Sequence, residues 1–299
     1  MTVVLPENYH AFDALVQQRI KCISTEEALH QDIRALRIGI LNIMPRAERY
    51  EFNLLYPLGR SVLQIQPVWI RLNNHLYNSS DAQHIENLYD PFERATRERG
   101  VDGLIVTGAP VEEMPFENVT YWSELRDILL YARTHIASTL GMCWGGLALA
   151  KLLGIEKVRF PKKLFGVFKA RNLDRKHPIT GDLDDVFFCP QSRHSGIPNE
   201  VLKKEAAQGV VRLLAEGDET GAFIFESADG KFLMHLGHPE YNSSRLVEEY
   251  RRDLACGRTD VGPPVNMDVE DPLNCWRSHR NEFFTQWIKY VYEHNDLSK

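Results

Sequence analysis

The chain has 299 residues, of which 43% are hydrophobic and 25% charged, enough for one large α/β domain with a buried core. The formal net charge is −6 and no dense basic run occurs, which argues against nucleic acid or a membrane as a partner. No apolar stretch approaches the roughly 20 residues that cross a bilayer, and the N-terminus does not resemble a secretory signal.

The cysteines are odd in number, widely spaced and never arranged as a CxxC pair: Cys22, Cys143, Cys189, Cys256 and Cys275. This pattern is typical of reduced thiols in a cytoplasmic protein and not of a disulfide framework or a zinc site. The histidines have no metal-binding spacing. The sequence therefore predicts no metal and no bound cofactor.

The first half of the chain alternates short apolar runs with amphipathic stretches. Residues 1–34 lack a sustained period and are expected to form an N-terminal arm with one short helix. In chain order, the predicted elements are strand 36–42, helix 48–58, strand 68–71, loop 73–81, strand 103–108, helix 122–133, strand 136–140 and helix 147–153. This alternation indicates βαβ units, and hence a mostly parallel twisted sheet flanked by helices.

In the second half of the chain the alternation of predicted strands and helices is less regular. The predicted strands are 186–189, 210–214, 222–225 and 232–236, and the predicted amphipathic helices are 244–254 and 276–293. The last two strands are so close in sequence that they indicate a hairpin and some antiparallel pairing. Because no repeat, low-complexity tract or linker divides the chain, we expect one domain over 1–299, with a core at 35–299 that ends in a C-terminal helical extension.

The strongest chemical signal is Gly141-Met-Cys-Trp-Gly145 at a predicted strand-to-helix junction. Glycines two residues on either side of Cys143 allow the tight turn that presents a nucleophile at the carboxyl edge of a sheet. The following helix offers amide donors for an oxyanion, and the backbone N–H groups of Trp144 and Gly108 are the candidates. The motif alone also fits a buried structural cysteine, but its place in a doubly wound sheet favours catalysis.

A second signal is His238-Pro-Glu240, which follows the strand predicted to end at Leu236. In an extended segment, side chains two residues apart point to the same side. His238 can then face the thiol of Cys143 as a base while Glu240 orients the imidazole. A His-x-Glu sequence is by itself more typical of a surface pair, so the hypothesis depends on its combination with the cysteine motif.

Three cations, Lys163, Arg193 and Arg252, are predicted near the same edge of the sheet. Solvated surface charge is the default interpretation for such residues. A substrate with a carboxylate would need such a partner, and arginine suits it because its guanidinium binds both oxygens.

Several motifs resemble those of the homoserine O-acyltransferase (homoserine transsuccinylase) family over about residues 36–292. They are Leu-Asn-Ile-Met-Pro at 41–45, Thr-Gly-Ala-Pro at 107–110, Gly-Met-Cys-Trp at 141–144, Gly-His-Pro-Glu-Tyr at 237–241 and Trp-Arg-Ser-His at 276–279. The resemblance implies a class I glutamine amidotransferase-like (flavodoxin-like) fold. It also implies a ping-pong reaction through an acyl-thioester on cysteine.

The family motifs assign roles to individual residues of this chain. The implied catalytic residues are Cys143 as nucleophile, His238 as base and Glu240 as the third member. The implied substrate-binding residues are Lys163, Ser192, Arg193 and Arg252, the last of which would bind a carboxylate.

The resemblance also implies an acyl donor. At the position of Glu112 the family carries glycine with succinyl-CoA and glutamate with acetyl-CoA. A glutamate side chain fills space and repels the carboxylate of a succinyl group, whereas acetyl has neither that bulk nor that charge. The expected co-substrate is therefore acetyl-CoA.

The expected acceptor is L-homoserine, which would give O-acetyl-L-homoserine for methionine biosynthesis. The chain departs from the family at Ala47, where lysine is usual, at Tyr50, where threonine is usual, and at Phe165, where serine is common. The bulkier Tyr50 and Phe165, near the acceptor pocket, would favour a shorter amino acid. Serine, giving O-acetyl-L-serine for cysteine biosynthesis, is the alternative acceptor.

Three other functions stay open. A succinyl-CoA donor is one, and a non-enzymatic binding protein on the same fold is another. A component of a glutamine amidotransferase is the third, although Leu147 stands where those enzymes usually carry glutamine. The expected partners are small molecules in the cytoplasm. The oligomeric state is open, with a homodimer as the candidate.

Overall fold

A twelve-stranded sheet organises residues 2–295, the part of the chain that the computed structural model describes. The strands are β1 (Thr2–Leu5), β2 (Lys21–Ser24), β3 (Leu36–Leu41), β4 (Gln64–Arg71), β5 (Asp90–Pro91), β6 (Gly103–Val106), β7 (Thr139–Met142), β8 (Val158–Asn172), β9 (Val186–Gly196), β10 (Val211–Gly217), β11 (Gly221–Ser227) and β12 (Phe232–His235). Their order is β2-β1-β4-β3-β6-β7-β12-β11-β10-β8-β9, with β5 beside β4.

Pairing along this order is parallel from β2 to β12 and antiparallel from β12 to β9. The predicted α/β class with a mostly parallel sheet is confirmed, as is the hairpin of β11 and β12. All residues of β6 and β12 are buried. Strands covered on both faces read as continuous apolar runs, and this is why the sequence predicts them.

The helices flank this sheet. They are α1 (Phe12–Gln17), α2 (Thr25–Leu29), α3 (Ala47–Leu58), α4 (Ala82–Leu88), α5 (Phe92–Arg94), α6 (Trp122–His135), α7 (Trp144–Leu152), α8 (Asn199–Ala207), α9 (Ser243–Ala255) and α10 (Arg277–His294). A π-helical turn (Ala95–Arg99) follows α5, and a 3₁₀ turn (Phe116–Asn118) precedes α6. Within residues 2–295, no helix has the length and apolar character to cross a membrane.

The structure contains elements that the sequence did not predict. In the segment expected to be an arm with one short helix, β1 and β2 extend the sheet beside β4, and two short helices pack there. β1 and β2 have four residues each, and β2, with one buried residue, offers no apolar run like those of β6 and β12. The long β8 was also missed because many of its side chains are exposed or half-buried, so it lacks an apolar run.

The central parallel strands determine where chemistry can occur. β3, β6, β7 and β12 lie side by side and point the same way, so the segments after them meet at one edge. These segments carry Met44, Gly108, Cys143 and His238, which all line one cavity. β7 ends at Met142, two residues later than predicted, and this places Cys143 directly after the strand.

Candidate active site

Cys143 occupies a sharp turn between β7 and α7. Its backbone is in the left-handed region, with φ +48°, and its amide donates to the carbonyl of His235 at 2.9 Å. A Cβ on Gly141 would lie 2.6 Å from the carbonyl oxygen of Gly145, and one on Gly145 would lie 2.3 Å from that of Val106. Only glycine fits such close backbone approaches. The turn has the strained strand-to-helix geometry that the glycine spacing predicts for a nucleophile elbow.

We expect Gly145→Ala to destabilise the fold by about 2–3 kcal/mol, because the methyl group would overlap backbone that cannot move aside. Denaturant unfolding monitored by circular dichroism measures the loss. Gly262→Ala is the matched control, since no heavy atom lies within 4 Å of a Cβ built there. Equal stability of the two variants would contradict this account of the elbow.

His238 connects the cysteine to a buried carboxylate. Its Nδ1 lies 2.7 Å from Oε1 of Glu240, its ring stacks on Tyr241 at 4.1 Å, and it lines the same cavity as Cys143. Burial lowers the pKa of His238, but the charges of Cys143 and Glu240 and hydrogen bonds to both raise it well above the usual value. An imidazolium beside the cysteine is the partner that a thiolate nucleophile requires.

Glu240 has a second donor that the sequence did not reveal. The hydroxyl of Tyr50 donates to Oε1 of Glu240 at 2.6 Å, so this one oxygen accepts from both tyrosine and histidine. Burial, followed by the charge of Glu240, raises the pKa of Tyr50 well above its usual value. Tyr50 therefore stays a protonated donor and fixes the carboxylate behind the histidine.

The two candidate oxyanion donors lie beside the cysteine. A Cβ built on Gly108 would be 3.5 Å from Cβ of Cys143 and 3.7 Å from Cε1 of His238, so the turn after β6 lies next to both residues. Trp144 begins α7, where backbone amides lack helical partners. Its indole is buried against Phe116 and Tyr121, which leaves only the backbone as a donor towards the reaction. Their oxyanion role stays a prediction.

A cavity of about 1110 Å³ opens above the cysteine. Of the residues predicted from the sequence, those that line it are Gly108, Glu112, Cys143, Lys163, Ser192, His238 and Arg252. Trp144, Arg193 and Glu240 lie behind the lining. The cavity is large enough for an amino acid and part of a coenzyme.

Carboxylates from α9 hold the wall that carries Lys163 and Ser192. Ser192 Oγ donates to Oε2 of Glu249 at 2.6 Å, and Lys163 Nζ lies 2.7 Å from Oδ2 of Asp253. Burial raises the pKa of Glu249, but the positive charges of Lys163 and then Arg245 outweigh this effect and lower that pKa to about 2. Glu249 was not predicted from the sequence, although the spacing of 245, 249 and 253 on one helical face was a signal for it.

The two predicted arginines differ in position. Arg193 is 1% exposed, and its guanidinium donates to the carbonyl of Thr220 at 3.4 Å. The side chain of Arg252 is 54% exposed, lines the cavity and binds Oδ1 of Asp253 at 2.8 Å. Arg252 can reach a bound carboxylate directly, whereas Arg193 contributes positive charge from behind the wall.

Glu112 lies on the cavity wall with its main chain fixed. Its carbonyl oxygen accepts hydrogen bonds from Lys157 Nζ at 2.6 Å and from Ser195 Oγ at 2.7 Å. Among residues 2–295, its Oε2 atom has no hydrogen-bond partner. Burial raises the pKa of Glu112, and a hydrogen bond from the backbone of His194 and the charge of Lys163 oppose that rise. A buried carboxyl group on a fixed main chain limits the size and charge of the ligand group that can lie beside it.

Two side-chain groups have the composition of metal sites: Glu113 with His194 and Asp260, and His10 with Glu51 and His84. The first already holds the guanidinium of Arg258, 2.7 Å from Asp260 Oδ2, which would repel a cation. In the second, the carboxylate of Glu51 accepts a hydrogen bond from Tyr89 at 2.8 Å and lies 2.7 Å from His84 Nε2. Hydrogen bonds and ion pairs account for both groups.

Comparison with known proteins gives close sequence matches. The family model described as homoserine O-succinyltransferase matches residues 2–297. A homoserine O-acetyltransferase of Bacillus licheniformis is 39% identical over 300 residues, covering 98% of this chain and 98% of its own. A homoserine O-acetyltransferase of Geobacillus sp. (strain WCH70) is 40% identical over 299 residues with the same coverage.

Solved structures resemble the fold at low sequence identity. A putative GMP synthase component from Thermoplasma acidophilum has a TM-score of 0.52 at 14% identity, covering 87% of this chain and 96% of its own. A glutamine amidotransferase from Thermotoga maritima has a TM-score of 0.50 at 14% identity, covering 86% and 99%. These likenesses confirm the predicted amidotransferase-like fold.

Proposed function

The chain belongs to the homoserine O-succinyltransferase family, and from this premise we propose that it transfers an acetyl group from acetyl-CoA to the hydroxyl of L-homoserine. The product, O-acetyl-L-homoserine, serves methionine biosynthesis. The observation that carries the proposal is the hydrogen bond between His238 and Glu240 beside Cys143, in a cavity that Cys143, His238 and Glu112 all line.

In the first half-reaction the thiolate of Cys143 attacks the thioester carbonyl of acetyl-CoA. A C–S bond to Cys143 forms, and the carbonyl electrons move to an oxyanion beside the backbone amides of Gly108 and Trp144. Collapse of this intermediate breaks the bond to the coenzyme sulfur. The imidazolium of His238 supplies the proton that CoA carries away as its thiol, and acetyl-Cys143 and neutral His238 remain.

In the second half-reaction the amino acid enters the same cavity. Its carboxylate binds Arg252, an exposed cation on α9, with Lys163 and Ser192 beside it. Neutral His238 takes the hydroxyl proton as the oxygen attacks the acetyl carbonyl. Collapse releases the ester and restores the thiolate and imidazolium, so the cycle needs no metal or bound cofactor.

The donor preference can be tested at one position. We expect Glu112→Gly to raise kcat/KM for succinyl-CoA by roughly tenfold or more, since it removes both the bulk and the negative charge that oppose a succinyl carboxylate. Steady-state kinetics with both donors measures the change. Glu112→Gln is the matched variant, since it keeps the volume and removes the charge. Succinyl-CoA use that is no better with glycine than with glutamate would contradict the role of Glu112.

The acceptor is tested by titrating homoserine and serine against acetyl-CoA and succinyl-CoA. Tyr50 lines the cavity, whereas Phe165 is buried, with Lys163 Nζ 4.2 Å from its ring centre, and does not line it. Of the two bulky substitutions, only Tyr50 can therefore narrow the acceptor space directly. We expect homoserine with acetyl-CoA to be the preferred pair. A clear preference for serine would replace homoserine in the proposal and leave the acetyl-transfer chemistry intact.

The cytoplasm is the proposed location, since all five cysteines are unpaired thiols, and small molecules are the proposed partners. Glutamine hydrolysis is the competing activity on this fold. Leu147 is buried in α7 and has no side-chain amide, unlike the glutamine usual at this position. We expect no glutaminase activity when ammonia release is assayed.

A further inference from the structure

The cations that line the cavity divide into paired and unpaired groups. The lining cations are Arg46, Arg49, Lys163, Arg245, Arg251, Arg252 and Arg258. Four of them are matched by carboxylates within 4 Å, in the pairs Lys163–Asp253, Arg245–Glu248, Arg252–Asp253 and Arg258–Glu113. Among residues 2–295, Arg46 and Arg49 form no ion pair, and Arg251 reaches only the exposed Glu270, at 3.9 Å.

The two arginines without ion pairs lie together at the beginning of α3. Arg46 precedes the first residue of α3 and Arg49 lies in its first turn, and both are exposed and line the cavity. Arg46 has φ +54°, a conformation that non-glycine residues rarely adopt, and its amide donates to Ser79 Oγ at 3.1 Å. The next amide, of Ala47, donates to Ser80 Oγ at 2.9 Å. The loop before α4 therefore holds this turn in place.

Unpaired positive charge at this position is unusual for the chain as a whole. The protein carries a net charge of −6, yet four of the five acidic residues of the lining are engaged with other cations: Glu113, Glu248, Glu249 and Asp253. A cavity that accepts only an acetyl group and a small amino acid needs no cations beyond those that bind the amino acid carboxylate. Two further guanidinium groups fit an anion with several charges, and phosphate is, with carboxylate, a group that arginine binds through two parallel hydrogen bonds.

We infer that Arg46 and Arg49 bind the phosphate groups of the nucleotide half of acyl-CoA at the entrance of the cavity. This inference rests on the proposed function, which supplies the coenzyme, and extends it to residues that no motif assigned. The acyl end then reaches Cys143 from the α3 side. The amino acid carboxylate approaches Arg252 on α9, so donor and acceptor are held by different helices.

Binding and kinetics together test the inference on the intact protein. Calorimetry with adenosine 3′,5′-bisphosphate should detect binding to wild type and binding weakened roughly tenfold for each of Arg46→Gln and Arg49→Gln. With acetyl-CoA, the double variant should show a raised KM and an unchanged kcat. With S-acetylpantetheine, a thioester that lacks the nucleotide, the double variant and wild type should be equal. The KM for homoserine should not change.

Arg97→Gln is the matched control, because Arg97 is exposed in the π-helical turn and does not line the cavity. It should bind the bisphosphate as wild type does. Three results would each overturn the inference: equal losses of activity with acetyl-CoA and S-acetylpantetheine, a raised KM for homoserine, or bisphosphate binding that the two substitutions do not weaken. Bisphosphate binding that depends on both arginines, in a protein that turns over neither thioester, would instead contradict the proposed function and support the phosphate site.

Discussion

Cys143→Ala is expected to reduce acetyl transfer by a factor on the order of 10⁴ or more. The reason is that the proposed acetyl group travels on the Cys143 sulfur, and no other cysteine among the described residues lines the cavity. Intact-protein mass spectrometry after mixing wild type with acetyl-CoA alone should show the addition of one acetyl group. The alanine variant should keep its original mass.

Cys256→Ala provides the control, since Cys256 is the exposed residue that ends α9 and its thiol is accessible to non-specific acylation. Its mass shift and its rate should equal those of wild type. Addition of homoserine to acetylated wild type should return the protein to its original mass with formation of one ester. Turnover by Cys143→Ala at more than a small fraction of the wild-type rate would exclude a covalent mechanism on this residue.

The sequence predicted those parts of the site that depend on local geometry. The glycines around Cys143 and the His-x-Glu spacing each define the geometry of a short segment that follows a strand. Because parallel strands end at one edge of a sheet, two such segments far apart in sequence meet once the strand order places β7 beside β12. That is why the structure brings Cys143 and His238 together as predicted.

Contacts between elements distant in sequence were not predictable from local patterns. The hydrogen bond from Tyr50 to Glu240 joins residues 190 positions apart, and its existence depends on how α3 packs over the sheet. Glu249 reads as an ordinary helical surface charge, yet the fold buries it between Ser192 and Tyr241. The two strands before residue 34 escaped detection for a related reason, since each gains stability from pairing with a neighbour more than from its own four residues.

Glu240→Gln is expected to lower kcat/KM for acetyl-CoA by roughly 10³–10⁴-fold, a loss like that of a serine protease whose aspartate is replaced by the amide. The charge of Glu240 is one of the causes that raise the pKa of His238, so its removal lowers that pKa. The first half-reaction needs the imidazolium. The alkaline limb of the pH profile of kcat/KM should therefore move to lower pH, and initial rates over a pH series measure both effects.

Tyr50→Phe separates the charge of Glu240 from its orientation. This variant keeps the ring, the cavity shape and the carboxylate, and removes only the donor 2.6 Å from Oε1. Because a hydrogen bond to a charged group contributes about 1.5–3 kcal/mol, a loss of tenfold or somewhat more is expected. With the negative charge retained, the alkaline limb should not move to lower pH. If Tyr50→Phe displaced that limb as Glu240→Gln does, the tyrosine would be controlling the ionisation of the pair, and its assignment as a positioning residue would be wrong.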